Sequence, residues 1–383
     1  MAVTILTKPA VLMETVEMLY RFVNNRTLDN SKRDFLSKHV DPMDGEDPER
    51  HYYESVFDAL SQIMEEGTRD LERNDPRMVY YFRDMMPEGG QQGICLAKIM
   101  LYSFYEGTTG LSFPEAIREC RETFQDFRAD GFCRYKIIGI DRGGLNFLPQ
   151  DGDSPLTLYQ QLENFDLTSA CKWEVYKALQ EYDSILGELE TLLRPVAQHM
   201  EQILTRHQKL LNQTADYWRG YFAAHSFQDY KFDMMGVETD TEPQTELEQV
   251  VWFWWMGLSQ MHFYQSPNRE ALNIGMLVRV GNTPKAAGYA QGHVLNILKL
   301  LSDKSKFDLL RRMTGRRCYG LELANEMGLT SGTISKHLST LFSCGLLNLQ
   351  RVNNRVYYQT DEIAILNFLD QLAEGLLGKP EKL

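Results

Sequence analysis

The chain has 383 residues, enough for two or three domains at roughly 100–200 residues each. Its 43% hydrophobic and 24% charged residues are those of a folded globular protein, which excludes a disordered or collagen-like bulk. No run approaches the ~18–20 apolar residues that cross a bilayer, and the net charge of −13, taken whole, counts against a nucleic-acid partner.

The first residues, Met1-Ala-Val-Thr-Ile-Leu-Thr-Lys-Pro, lack a basic segment followed by a long apolar one, which argues against a secretory signal. Val11 to Phe22 and Tyr52 to Leu71 carry apolar residues at helical spacing. Between them lies the acidic breaker Asp41-Pro-Met-Asp-Gly-Glu-Asp-Pro. Pro87-Glu-Gly-Gly-Gln-Gln-Gly is a second breaker and leads into a helical run over Ile94 to Tyr105. Ser112-Phe-Pro-Glu has the form of a helix start, with a capping serine, a first-turn proline and Glu115 three residues on.

Residues 131–150 mix β-formers with turns. Thr168 to Ala224 reads as two or three helices with a break near Pro195, because an interior proline removes a helix hydrogen bond. Residues 226–282 are partly β, through Val250–Met256, Met261–Tyr264 and Leu272–Val280. Trp252-Phe-Trp-Trp with His262 and Tyr264 is the most unusual local composition. It reads either as a buried strand or as one wall of an apolar effector pocket or dimer surface, with Trp252, Trp254, His262 and Tyr264 as the candidate lining. Gly281 to Gly292 is small, polar and turn-rich, and places a domain boundary near residue 288.

Charge is unevenly shared across that boundary. Residues 291–383 hold 12 Lys+Arg against 9 Asp+Glu, leaving −16 on the remainder. From Lys299 to Arg355 there are 10 basic and 4 acidic residues. The basic stretch also has a compact pattern. Val294–Leu301 and Phe307–Met313 are short helices, and Tyr319–Gly328 is a third, ended by its glycine. A fourth begins near Leu329, with Leu329, Ile334, Leu338 and Leu341 inward and Ser331, Thr333, Ser335, Lys336 and Ser339 outward.

Two short helices joined by a tight turn make a helix-turn-helix, whose second helix can enter a DNA major groove. No acidic residue occurs between Thr330 and Gly345, as a helix close to phosphates requires. A β-hairpin follows, with Asn353-Asn354 at its tip and Arg351 and Arg355 flanking, as in a wing. An amphipathic helix over Ile363–Leu377 ends the pattern.

Leu301–Leu310, Glu322–Leu338, Cys344-Gly-Leu-Leu and Asn354-Arg-Val-Tyr-Tyr resemble the ArsR-type winged helix-turn-helix regulators, over about a quarter of the chain. The resemblance implies a homodimer that binds double-stranded operator DNA, usually as a repressor released by a ligand. It places Ser331, Thr333, Ser335, Lys336 and His337 on the reading helix and Arg351, Asn354 and Arg355 on the wing. It also implies that the flanking helices, Val294–Leu301 and Ile363–Leu377, pair across the dimer axis. Metal-sensing members carry a Cys-x-Cys pair or His/Asp pairs. Here Arg317-Cys-Tyr-Gly has one cysteine and the last helix has no histidine, so no metal or other cofactor is expected.

The six cysteines, Cys95, Cys120, Cys133, Cys171, Cys318 and Cys344, form no Cys-x-x-Cys pair and fit reduced thiols in a cytoplasm. No phosphate-binding glycine loop, HExxH or GxSxG occurs. The expectation is thus a mainly α protein with a smaller β component. A helical sensor region of unknown effector (1–288) precedes a winged helix-turn-helix DNA-binding domain (289–383). The alternatives are an enzyme or an interaction scaffold in the N-terminal region with an accessory DNA-binding domain.

Overall fold

The computed structural model describes residues 3–39, 48–85, 94–105, 110–129, 162, 167–230, 237–239, 245–251, 260–263, 269–279, 297–352 and 355–377. The expectations for 40–47, 86–93, 131–150 and 281–292 lie outside these residues. So do Trp252, Trp254, Tyr264 and Asn354. The fold is mainly α with a smaller β component, as the sequence patterning predicts.

The N-terminal part is built around α1 (Val11–Val23), which is buried on every side from Val11 to Arg21. Around it stand α2 (Leu28–His39), α3 (Pro48–Thr68), α4 (Pro76–Phe82), α5 (Leu96–Tyr102), α6 (Phe113–Ala129), α7 (Ser169–Gln180) and α8 (Tyr182–Arg206). A helix enclosed in this way must satisfy its polar groups internally. Glu17 accepts a charge-assisted bond from Lys98 Nζ at 2.8 Å and a hydrogen bond from the Tyr102 hydroxyl at 3.2 Å. The Ser112 start is confirmed in detail: its backbone N–H and hydroxyl both donate to Glu115 Oε2, at 2.8 and 2.5 Å.

The break expected at Pro195 is absent. That residue sits inside the unbroken helix α8, and the chain instead breaks at Glu181 and His207, before α9 (Gln208–Ala224). The apolar stripe Leu189, Leu193, Val196, Ala197 and Met200 continues through the proline and is buried. Pro195 is on the exposed face, where water can take the carbonyl it frees. Burial of the stripe outweighs the lost bond.

Among the described residues the strands form two four-stranded sheets. In the first, β1 (Thr4–Leu6), β3 (Thr245–Val251) and β5 (Arg269–Gly275) run parallel, and β4 (Gln260–Phe263) closes on β5 antiparallel. Of the strand expected over Val250–Met256, Val250 and Val251 end β3, and 252–256 lie outside the described residues. The strand expected over Leu272–Val280 starts earlier, as β5 from Arg269, and ends at Gly275. After Gly275 the chain turns, with Val278 N–H bonded to Gly275 O, and Met276 and Leu277 enter the helical core. Helix α9 packs on this sheet through Trp218, which with Phe227, Tyr230, Ile274 and Val278 forms a separate buried cluster. Among the described residues no helix is long and apolar enough to cross a membrane.

The second sheet belongs to the C-terminal part. A helical turn over 297–301 and α10 (Lys304–Met313) precede β6 (Cys318–Tyr319), α11 (Gly320–Met327) and α12 (Ser331–Ser343). Then come β7 (Leu347–Val352), β8 (Arg355–Thr360) and α13 (Glu362–Leu377). Ile334, Leu338 and Leu341 of α12 meet Leu309, Leu323, Leu346 and Phe368 in its own core. The sheet also takes one strand from the N-terminal part, β2 (Val237–Thr239), parallel to β7.

Candidate nucleic-acid interface

The sequence builds the helix-turn-helix locally. Helix α11 ends at Gly328, in the left-handed region at φ +66°, with its N–H bonded to Ala324 O. Leu329 N–H reaches the same carbonyl at 3.1 Å. Thr330 then caps α12, its hydroxyl accepting the Thr333 N–H at 3.2 Å. Three residues thus turn the chain between two helices whose ends are both satisfied, and the second helix is held by its buried stripe.

Ser331, Ser335 and Lys336 are exposed on α12, and Thr333 is half-buried with its hydroxyl 2.9 Å from that of Thr330. Among the described residues Lys336 makes no ion pair. His337 is half-buried and turned toward the start of α10. Burial lowers its pKa, with Lys306 nearby acting in the same direction and Asp303 opposing it. Its Nδ1 is buried without a hydrogen-bond partner. His337 follows Lys336 in sequence and has Lys306 and Asp303, at the start of α10, as charged neighbours.

The basic count of this segment overstates its free charge. Arg316 Nη2 lies 2.7 Å and Arg312 Nη1 3.1 Å from Glu326, and Arg316 is 3.7 Å from Glu322. The Arg316 guanidinium and then Arg312 hold the Glu326 carboxyl below its usual range. These arginines tie α10 to α11 and set the motif's geometry.

In the hairpin, Val352 pairs with Arg355, so Asn353 and Asn354 form its two-residue connection by sequence. Arg351 stands opposite Val356. Arg317 donates to the side chain of Gln350 on the same sheet. Thr360 donates its hydroxyl to Leu310 O at 2.7 Å, and Asp361 caps α13 by accepting the Ala364 N–H at 3.0 Å. Hairpin, α10 and α13 are thereby fixed to one another. The element order and pairing are those of a winged helix-turn-helix.

Of the candidate effector lining, only His262 is described, on β4 in register with Ala271. One described aromatic cluster joins Tyr217, Trp218, Tyr221 and Phe222 of α9 to Phe227 and Tyr230. Sequence reading missed it because these aromatics lie at helical spacing and read as ordinary core. Trp218 Nε1 is buried there without a partner. A cleft of about 490 Å³ opens elsewhere, lined by Thr7, Lys8, Glu201, Thr205, Gln208 and Asn212 with Pro9 and Val11. Six of its eight lining residues have polar side chains, and none of them belongs to the candidate effector lining. Among the described residues no group of three or more His, Cys, Asp or Glu could hold a metal. Cys318 is buried, and burial raises its thiol pKa.

No protein-family model matches the chain. No curated protein matches it either. Among the solved structures similar to part of it are two that each cover 23% of the chain. One is NolR from Sinorhizobium fredii, 22% identical, covering 23% of this chain and 88% of its own with a TM-score of 0.20. The other is reduced HlyU from Vibrio cholerae N16961, 20% identical, covering 23% of this chain and 92% of its own with a TM-score of 0.19.

Proposed function

We propose that this protein is a sequence-specific, ArsR-type DNA-binding transcription regulator, a cytoplasmic homodimer that represses until an effector acts on its N-terminal part. The observation that carries the reading is the face of α12: Ser331, Ser335 and Lys336 exposed on a capped helix with no acidic residue. Small hydroxyls let such a helix approach base edges, and a cation anchors it to phosphate. Thr333 and His337 flank that face, and Arg351, Asn354 and Arg355 are the wing positions for phosphate or minor-groove contacts. The boundary near residue 288 divides the sensor from the reader.

Helix α13 supports the dimer. Leu366, Leu369, Leu376 and Leu377 are 60%, 49%, 75% and 85% exposed, an apolar face that a second copy would cover. Two reading helices related by a twofold axis would then meet half-sites about 34 Å apart. An effector that favours another spacing of those helices lowers DNA affinity by the difference in its own affinity for the two states. The effector contacts are expected among His262, Trp252, Trp254 and Tyr264. A mobility-shift titration with the DNA upstream of the protein's own gene tests the reading, and absence of a specific shift overturns it.

A further inference from the structure

Strand β2 belongs by sequence to the acidic N-terminal part, yet it pairs with the wing. Val237, Glu238 and Thr239 stand in register with Leu349, Gln350 and Arg351 of β7. The hairpin β7–β8 and strand β6 make a three-stranded sheet by themselves, with β8 in the middle and one edge of β7 bare. A bare edge offers unpaired N–H and C=O groups to any strand that reaches it. Here the chain fills it with its own segment.

Direction and charge give the contact meaning. The pairing is parallel, so β2 runs with β7 toward the wing tip, and Thr239 is level with Arg351, one residue before the tip pair Val352–Arg355. The sequence around β2 is acidic: residues 232–244 hold Asp233, Glu238, Asp240 and Glu242 and no lysine or arginine. Backbone pairing therefore brings Glu238, from the middle of that acidic run, alongside the positions where DNA phosphates would meet the wing, and like charge there opposes DNA. A three-residue strand is short enough to detach without unfolding the hairpin beneath it.

We infer that β2 is an autoinhibitory strap: it lays an acidic segment of the N-terminal part on the open edge of the wing, keeps DNA affinity low, and releases the wing when it detaches. The inference rests on the DNA-binding reading above. It supplies a physical route from the N-terminal part to the reader.

The test uses the full chain carrying Glu238→Cys with Gln350→Cys, and a labelled mixed-sequence duplex of about thirty base pairs, roughly three helical turns. Adjacent strands bring in-register Cα atoms to ~4.8 Å, inside the ~4.4–6.8 Å window of a disulfide. The single variant Glu238→Cys controls for pairing with the native cysteines. A specific cross-link is expected, with the oxidised protein binding the duplex about tenfold more weakly than the reduced one. A second full-length variant, Glu238→Pro with Thr239→Pro, opens the strap, since alternate N–H groups face the neighbouring strand and one of the two must be lost. It is expected to bind about tenfold more tightly than the unaltered protein, with the helix signal in circular dichroism retained. Failure to cross-link, or equal affinity of locked, open and unaltered proteins, overturns the strap and leaves the DNA reading standing. Failure of all forms, reduced and open included, to bind the duplex overturns both.

Discussion

The guanidinium of Arg279 lies 3.8 Å from the ring centre of Tyr217 and 4.2 Å from that of Tyr52. Arg279 is only 7% exposed and follows the last strand of the N-terminal sheet. The Tyr52 hydroxyl donates to Met276 O at 2.7 Å and meets the Thr214 hydroxyl at 2.5 Å. Burial raises the Tyr52 pKa, so the ring stays neutral while its face holds the cation. Arginine, tyrosine and backbone thus pin the chain to α3 and α9 just before it leaves for the C-terminal part.

Removing that pin has a definite cost. Arg279→Ala is expected to destabilise the N-terminal part by about 2–3 kcal/mol, from two desolvated cation–π contacts and the packing of the stem. Arg279→Lys restores less than half, because an ammonium lacks the planar face that stacks on both rings. Denaturant unfolding of the full chain measures both, and equal midpoints for all three proteins contradict the role.

The turn of the helix-turn-helix yields a prediction free of packing effects. A Cβ added at Gly328 would meet no atom within 4 Å, yet the residue has φ +66°. Gly328→Ala therefore costs only backbone strain, about 1 kcal/mol. Thr330→Ala loses the cap of α12 and costs a similar ~1 kcal/mol. The two are close enough to couple, so the double variant is expected to depart from the sum. Thermal melts of the single and double variants supply the values.

This part of the fold was legible in the sequence because its signals are local: a left-handed glycine, a capping threonine three residues from Thr333, and a stripe at helical spacing. What was not legible depends on distant partners. Pro195 reads as a break until the buried stripe on either side of it is seen. β2 is three residues long, and only its register with Leu349–Arg351 makes it a strand. Beyond Lys336, the charged neighbours of His337 are Lys306 and Asp303, which come from the start of another helix and are not visible in its local sequence. Charge counting has the same limit, since Arg312 and Arg316 are committed to Glu326.

That last pairing gives a pH dependence. The folded-state pKa of Glu326 is held low by Arg316 and Arg312. A depressed carboxyl stabilises the fold above its unfolded pKa, and that contribution disappears as pH falls through the folded value. Glu326→Gln is expected to flatten the acid limb of the thermal-midpoint curve below the usual carboxylate range and to leave its slope near neutrality unchanged. An unaltered acid limb counts against the pairing.

The exposed face of α13 predicts the oligomeric state. Leu366→Asp with Leu376→Asp is expected to convert a dimer to a monomer in sedimentation or light scattering, since each carboxylate would be buried at the twofold contact. DNA binding should weaken with it, because one reading helix then meets one half-site. A variant that stays dimeric places the contact elsewhere.

The most direct test of the central claim is a titration of the DNA upstream of the protein's own gene at several salt concentrations, comparing the unaltered protein with Lys336→Ala. The DNA-reading account predicts a specific shift by the unaltered protein. It also predicts weaker binding by the variant, with a salt slope smaller by about one unit for the lost phosphate contact. Equal affinities and equal slopes, or no shift at any salt concentration, would contradict the assignment of α12 as the helix that reads DNA.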